Sequence, residues 1–338
     1  VVNNGAVNKI DVVGLDDLDN LAVIHSIDLA PYGGLVNSLS VHDGLLAAAI
    51  ESVNKQEPGK VVVFRTRNYA EVKQVSVGAL PDMVTWSPDG KFILTANEGE
   101  PSTDYANDPA GSVSIISVKN NFSVVNLDFG GFAGQQAALM QKGLRIFGPG
   151  PSFAEDIEPE YVCVSDDSKT AWVTLQENNA IAKINLLTKT ITNIFPLGFK
   201  NYNLAPNAID PSDRDTAVGR LANFPVYGIY MPDAIAFYEK NGVPHLFTAN
   251  EGDAREYDAL TEAARAGSLT WDAALPSGLK ANNFLGRLNV TKTLGDTDGD
   301  GDYDALYSFG ARSFSIWNGN SGQLLFDSKN DLDQRINL

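Results

Sequence analysis

One cysteine and three histidines are found in 338 residues. A lone Cys163 cannot close an intramolecular disulfide, and inside an apolar run it reads as a small buried hydrophobe. His25, His42 and His245 are scattered over strand-like segments without metal-ligand spacing, which argues against a zinc hydrolase. No apolar run reaches the length of about 18 residues that a transmembrane helix needs, so none is expected. No charged stretch followed by an apolar one opens the chain, so no signal peptide is expected, and the start at Val1 fits a processed or trimmed terminus. A Gly-x-Ser-x-Gly nucleophile elbow is missing, as are a phosphate loop and a dinucleotide fingerprint. Basic residues are scarce. The 25 Lys and Arg stand against 42 Asp and Glu, for a net charge of −17. Such a surface repels nucleic acid and anionic membranes, and it suits hard cations with oxygen ligands, calcium above all.

What is present is a folded, repetitive chain. Apolar residues make up 43% and aromatics 9%, which excludes a disordered polymer. The stretch LPDMVTWSPDGKFILTANEGE (80–100) returns as YMPDAIAFYEKNGVPHLFTANEGD (230–253), as EPEYVCVSDDSKTAWVTLQEN (158–178) and, more weakly, as VNSLSVHDGLLAAAIE (36–51). Each copy opens on a polar or acidic residue (Asn37, Asp82, Glu160, Asp233). A short strand, a turn rich in Asp, Gly, Asn and Lys, and a second strand follow. Each copy ends on a glutamate (Glu51, Glu98, Glu177, Glu251), after 14, 16, 17 and 18 residues. Further hairpins lie between the copies, about four strands per unit, so the fold class is all-β and a β-propeller of four-stranded blades fits best. The copies start 45, 78 and 73 residues apart, so the first spacing is one blade and the later ones a blade plus insertions. The whole of 1–338 reads as one propeller domain with insertions at about 130–157, 198–230 and 259–285. Gly131 to Leu144 and residues 259–275 are expected as two short helices, and 313–327 as a hairpin of a fifth, incomplete unit.

Three groups of residues could carry chemistry. Asp296-Thr-Asp298-Gly-Asp300-Gly301-Asp302-Tyr-Asp304 sets carboxylates at alternate positions, with a glycine sixth, like the first half of a calcium loop. The twelfth position is Tyr307 instead of glutamate, so the last ligand must come from elsewhere. Five like charges in nine residues repel unless a cation sits among them; the alternative is a solvated acidic turn. Glu51, Glu98, Glu177 and Glu251, with Asp82, Glu160 and Asp233, either ring a cation site at the mouth of the propeller channel or cap their own blades. The repeated Ala-Asn-Glu-Gly at 96–99 and 249–252 points to a shared backbone role and to glycines with positive φ. Arg255 and Arg312 are rare cations in acidic surroundings, read as an anion clamp or as partners in structural ion pairs.

PDMVTWSPDGKFILTANEGEP, EPEYVCVSDDSKTAWVTLQENNAIAKI, PDAIAFY with TANEGDAREYD, and DTDGDGDYDALYSFGARSFSIW together resemble the choice-of-anchor I family, along almost the whole chain. That family includes mesenchyme-specific cell-surface glycoproteins and bacterial exported proteins, some labelled alkaline phosphatase. The resemblance implies a seven-bladed propeller, exported and held at the cell surface or in the periplasm, and a chain incomplete at both ends. The expected function is a calcium-binding module for adhesion or structure, with a cell-surface polysaccharide, matrix or mineral as partner. The alternative is a metal-dependent phosphoesterase, using Mn²⁺ or Mg²⁺ at the repeat carboxylates.

Overall fold

The computed structural model describes residues 1–4, 7–150, 152–215 and 220–336. Pro151 of the first expected insertion and residues 216–219 of the second lie outside them, as do residues 5, 6, 337 and 338. Two compact units are present: one of residues 1–136, 150–175 and 182–194, the other of 137–149, 176–181 and 195–338.

In the first unit the alternating, β-branched segments become antiparallel meanders. β1 (Val2–Asn4), β2 (Lys9–Gly14) and β3 (Ala22–Asp28) make a three-stranded sheet. β4 (Val36–His42), β5 (Leu45–Ile50), β6 (Pro58–Arg65) and β7 (Glu71–Ala79) make a four-stranded one. β8 (Pro81–Trp86), β9 (Phe92–Asn97), β10 (Ser112–Ser117) and β11 (Ser123–Asp128) make the next. β12 (Val162–Val164), β13 (Thr170–Leu175), β14 (Ala180–Asn185) and β15 (Thr190–Pro196) repeat the pattern. A four-stranded antiparallel meander in chain order is the blade of a β-propeller, so the fold is the all-β propeller class that the repeat predicts. The middle strands are buried on both faces. Ala47 to Ile50 and Val61 to Phe64 are at most 1% exposed. Each Val, Leu or Ile so covered contributes about 1.5–3 kcal/mol.

The shared turns follow from the shared residues. Ser87 Oγ bonds Asp89 and accepts the Phe92 N–H; Ser165 Oγ bonds Asp167 and accepts the Thr170 N–H. SPDGKF and SDDSKT are therefore one hairpin turn, with Gly90 (φ 65°) and Ser168 (φ 58°) at the same left-handed position.

The second unit holds β16 (Phe199–Asn201), β17 (Val226–Ile229), β18 (Pro232–Lys240), β19 (Val243–Asn250) and the small hairpin β20 (Glu256–Tyr257) and β21 (Leu260–Thr261). β22 (Ala263–Arg265), β23 (Asn289–Thr291), β24 (Leu306–Ser308), β25 (Ser313–Asn318) and β26 (Leu324–Asp327) follow. One sheet runs β16-β17-β24-β23-β22, with β17 and β24 parallel. The other runs β18-β19-β25-β26. The final hairpin is therefore not a fifth unit. It completes the blade opened at Pro232, with His245 opposite Asn318 and Asn250 opposite Ser313.

Helical expectations hold in part. Residues 130–135 form 3-10 turns that lead into α1 (Gln136–Met140). Residues 259–275 are not one helix: β21 and β22 occupy 260–265, and helical character survives only as a 3-10 turn at 266–268, with others at 277–280 and 285–287. The Ala-rich composition suits a helix, but β22 pairs with β23 and buried Glu262 is held by Arg145. A last helix, α2, spans Asp331–Ile336.

Candidate functional site

The repeated Thr-Ala-Asn-Glu-Gly is a structural device before it is anything else. Thr95 Oγ1 donates to Asn97 Oδ1, and the Asn97 amide donates to the Ser112 and Ser114 hydroxyls on β10. Ser114 passes the chain to Asn126 on β11. In the other copy Thr248 donates to Asn250, whose amide donates to Ser313 and Ser315 on β25, and both hydroxyls donate to Asp327 on β26. Each asparagine ties three strands of a blade through a buried polar ladder. The glycines are needed for close approach. A Cβ on Gly99 (φ 71°) would meet Pro109 O at 2.7 Å, and one on Gly252 (φ 89°) would meet Gly310 N at 2.1 Å.

The pairing that places these ladders also places the repeat carboxylates. Pro81 lies opposite Asn97, and a bulge follows before Met83, so Asp82 and Glu98 share the open end of the β8–β9 hairpin. Glu98 N–H bonds Leu80 O across that end. Glu160, the counterpart of Asp82 in the next copy, is held by its own N–H on Thr174 O. The structure brings Asp82, Glu98 and Glu160 together, half-buried, with carboxylate oxygens all within 4.8 Å of one another. In the second unit Asp233 and Glu251 repeat the pair, and the Asp233 charge is the first cause holding the Glu251 carboxyl above its usual range.

Glu51 and Glu177 do not join these groups. Glu51 is buried and accepts bonds from Leu35 N–H and the Asn37 amide, both at 3.5 Å, as a cap of its own blade would. Glu177 is buried in a charged cluster with Arg145 and Arg255. Arg145 and Arg255 stack over the Phe147 ring, their guanidinium carbons 4.2 and 4.6 Å from its centroid. Arg145 also pairs with Glu262, whose other oxygen accepts the Arg255 N–H at 3.1 Å. Arg145 stands in the first expected insertion and Glu262 in an expected helix, and no repeat marks them. Burial pushes the Glu177 carboxyl up to about 7, against the opposing pull of Arg255. Arg255 is only 3% exposed, so its guanidinium is spent inside the protein and not offered to a free anion. Arg312 is exposed and pairs with Asp333, Nε lying 3.2 Å from its Oδ1.

The acidic loop curls on itself. Asp296 accepts the N–H groups of Gly299 (2.8 Å) and Gly301 (3.2 Å); Asp304 accepts the Thr297 N–H (2.7 Å) and hydroxyl (2.6 Å). Gly299 and Gly301 take φ of 80° and 95°, the conformation the motif reserves for glycine. Oxygens of Asp296, Asp298 and Asp304 fall within 4.8 Å of one another. Asp302 and Asp304 form a second such group with Asp272, which the sequence reading missed. Asp272 lies far back in the chain and arrives through the bridge between Trp271 and Tyr303, with Asp272 N–H on Tyr303 O. Asp300 is in neither group, and its Oδ1 accepts the Asp302 N–H. Partial desolvation, then the charges of Asp300, Asp272, Asp304 and Asp298, hold the Asp302 carboxyl above its usual range. These are all hard oxygen donors, the set that calcium takes.

No helix among the described residues is long and apolar enough to cross a membrane. No curated protein matches the chain. Among solved structures, the chain is similar to Kuenenia stuttgartiensis hydrazine synthase, at 10% identity and a TM-score of 0.40, covering 88% of this chain and 54% of that one. The chain thus spans about half the length of that relative. It is also similar to a functionally unknown protein from Desulfotomaculum acetoxidans DSM 771, at 8% identity and a TM-score of 0.42, covering 96% of this chain and 80% of that one. A third similar structure is the β-propeller domain of Myceliophteria thermophila Cps50 (Swd1), at 10% identity and a TM-score of 0.40, covering 96% and 84%. The model of the choice-of-anchor I domain matches residues 1–337, and the chain belongs to that family.

Proposed function

We propose that this chain is a surface-held β-propeller module that binds calcium through the Asp296–Asp304 loop and serves adhesion or structure outside the cell. The observation that carries the reading is the convergence of Asp296, Asp298 and Asp304 within 4.8 Å, on a loop whose glycines adopt the required turn. Bound calcium would supply the positive charge that offsets the mutual repulsion of these carboxylates. The family name supports a place at the surface, and calcium there would join loop to loop or protein to an anionic matrix.

Calorimetric titration with calcium tests this. Wild type should bind saturably. Asp298→Asn, which removes one ligand charge and disturbs only a 3.3 Å bond to the Asp300 N–H, should weaken binding by about tenfold or more. No heat, or equal affinity in the variant, would contradict the loop assignment.

The grouping of Asp82, Glu98 and Glu160 favours a second reading, a metal-dependent phosphoesterase. A divalent ion there would polarise a phosphoryl oxygen and activate water. Chelator-sensitive hydrolysis of p-nitrophenyl phosphate, lost in Glu98→Gln, would establish that reading over the first.

A further inference from the structure

In each four-stranded meander the last strand is the outermost, and among the described residues its outer edge pairs with no other strand. On β7, β11 and β15 the exposed positions are all polar, Gln74, Asn126 and Thr192 among them. Polar side chains keep an edge strand from pairing with other chains. β26, the outermost strand of its own sheet, breaks the pattern. Its exposed residues are Leu324 (38%), Leu325 (45%) and Phe326 (45%). Leu325 stands in a bulge, with no residue opposite it on β25. The Phe326 ring packs on exposed Phe314, their centroids 5.7 Å apart. Adjoining apolar side chains left in water mark a surface that meets something apolar.

A groove of about 520 Å³ opens between β26 and β16, the edge strand of the other sheet in this unit. Its size lies in the range of small-molecule sites. Phe199, Leu204, Pro206 and Tyr230 line it together with the apolar residues of β26. Its charged residues are Lys200, Asp327 and Lys329, two cations against one carboxylate. Lys200 is spent inside the protein. It is buried, and its ammonium lies 3.0 Å from Asp327 and donates to the carbonyls of Ala311 (2.9 Å) and Lys329 (2.8 Å). Lys329 is the surplus. It is exposed, and its ammonium has no ion-pair partner among the described residues. Asp327 Oδ1 accepts the Lys329 N–H at 2.8 Å and holds the residue at φ 59°, a conformation that glycine or asparagine adopts with less strain. The amides Asn201 and Asn207 are taken up locally: Asn201 Oδ1 accepts the Asn203 N–H, and Asn207 donates to Asn201 O. The groove therefore offers apolar surface and one uncommitted cation. A molecule that is apolar along its length and carries a single negative charge at one end uses both. A second charge on it would meet the field of a chain at −17 without a partner.

We propose that this groove binds a free fatty acid, its chain against Leu324, Leu325 and Phe326 and its carboxylate on Lys329. The site uses none of the residues of the acidic loop, so it stands apart from the calcium reading.

The test is calorimetric titration of the full chain, in chelator, with hexanoate, octanoate and decanoate. Octanamide serves as the neutral analogue and acetate as the head group alone. Affinity should rise by about two- to fourfold for each added methylene, the scale of burying one CH₂. Octanoate should bind about three- to fivefold more tightly than octanamide, the scale of one exposed ion pair, and acetate should not bind. Lys329→Gln should erase the preference for octanoate and keep the dependence on chain length; Lys329→Arg should keep both. Leu325→Asp should weaken every member of the series at an unchanged melting temperature, since the side chain is exposed. No saturable binding, affinity that ignores chain length, equal binding of octanoate and octanamide, or a preference that survives Lys329→Gln each overturns the proposal. So does a dimer, seen in sedimentation, that Leu325→Asp abolishes and decanoate does not displace, because the occupant would then be a second copy of the chain.

Discussion

At the scale of single residues, the Glu177 carboxyl is buried, and its Oε2 accepts no hydrogen bond among the described residues. Burial raises its folded pKa from 4.5 to about 7. A raised carboxyl takes up its proton more readily in the folded chain than in the unfolded one. Its contribution to stability is thus complete below about pH 4.5 and is lost as pH rises through about 7. The melting temperature should fall across that window, and Glu177→Gln should flatten the fall. An equal slope in the variant would show that Glu177 does not titrate there. Asn250 gives a second prediction. Asn250→Ala strips its partners on Ser313, Ser315 and Thr248 inside a fully covered ladder. With each orphaned buried group costing about 1–3 kcal/mol, urea unfolding should report a loss of about 2–4 kcal/mol. A loss below about 0.5 kcal/mol, the range of an ordinary surface change, would mean that the ladder is not structural.

Elements were legible where periodicity and turn chemistry agree. The hairpins β8–β9, β12–β13 and β18–β19 of the repeat copies stand where apolar strands and Asp/Gly/Asn turns put them. Partners across long gaps were not legible. β19 and β25 are joined by an alignment of Asn250 with Ser313 that no local pattern announces, so the final hairpin read as a separate unit. Composition misled at 259–275, where a tertiary ion pair between Arg145 and Glu262 outweighs helix propensity. Of the site, the Asp82–Glu98–Glu160 group was visible because the repeat aligns its members; Asp272 was not, because only a bridge to Tyr303 brings it in. The neck of the acidic loop is closed by Asp304 and Ala305 N–H on Gly295 O. Calcium on the loop should therefore slow hydrogen exchange at 296–304 and in β24 just beyond it, and chelation should reverse this. Exchange that ignores calcium in both stretches would contradict the coupling.

For the whole molecule, the net charge of −17 decides which partners are affordable. Polyanions bind such a surface only through a cation or through a local exception to the sign of the field. The acidic loop provides for the first, which fits a module of the choice-of-anchor I family held at a surface. Calcium binding at the acidic loop is tested by an anomalous-difference map from crystals soaked in a calcium-mimicking lanthanide. A peak is expected among the carboxylates of Asp296, Asp298 and Asp304. A peak only at Asp82, Glu98 and Glu160, or none at either place, would contradict it.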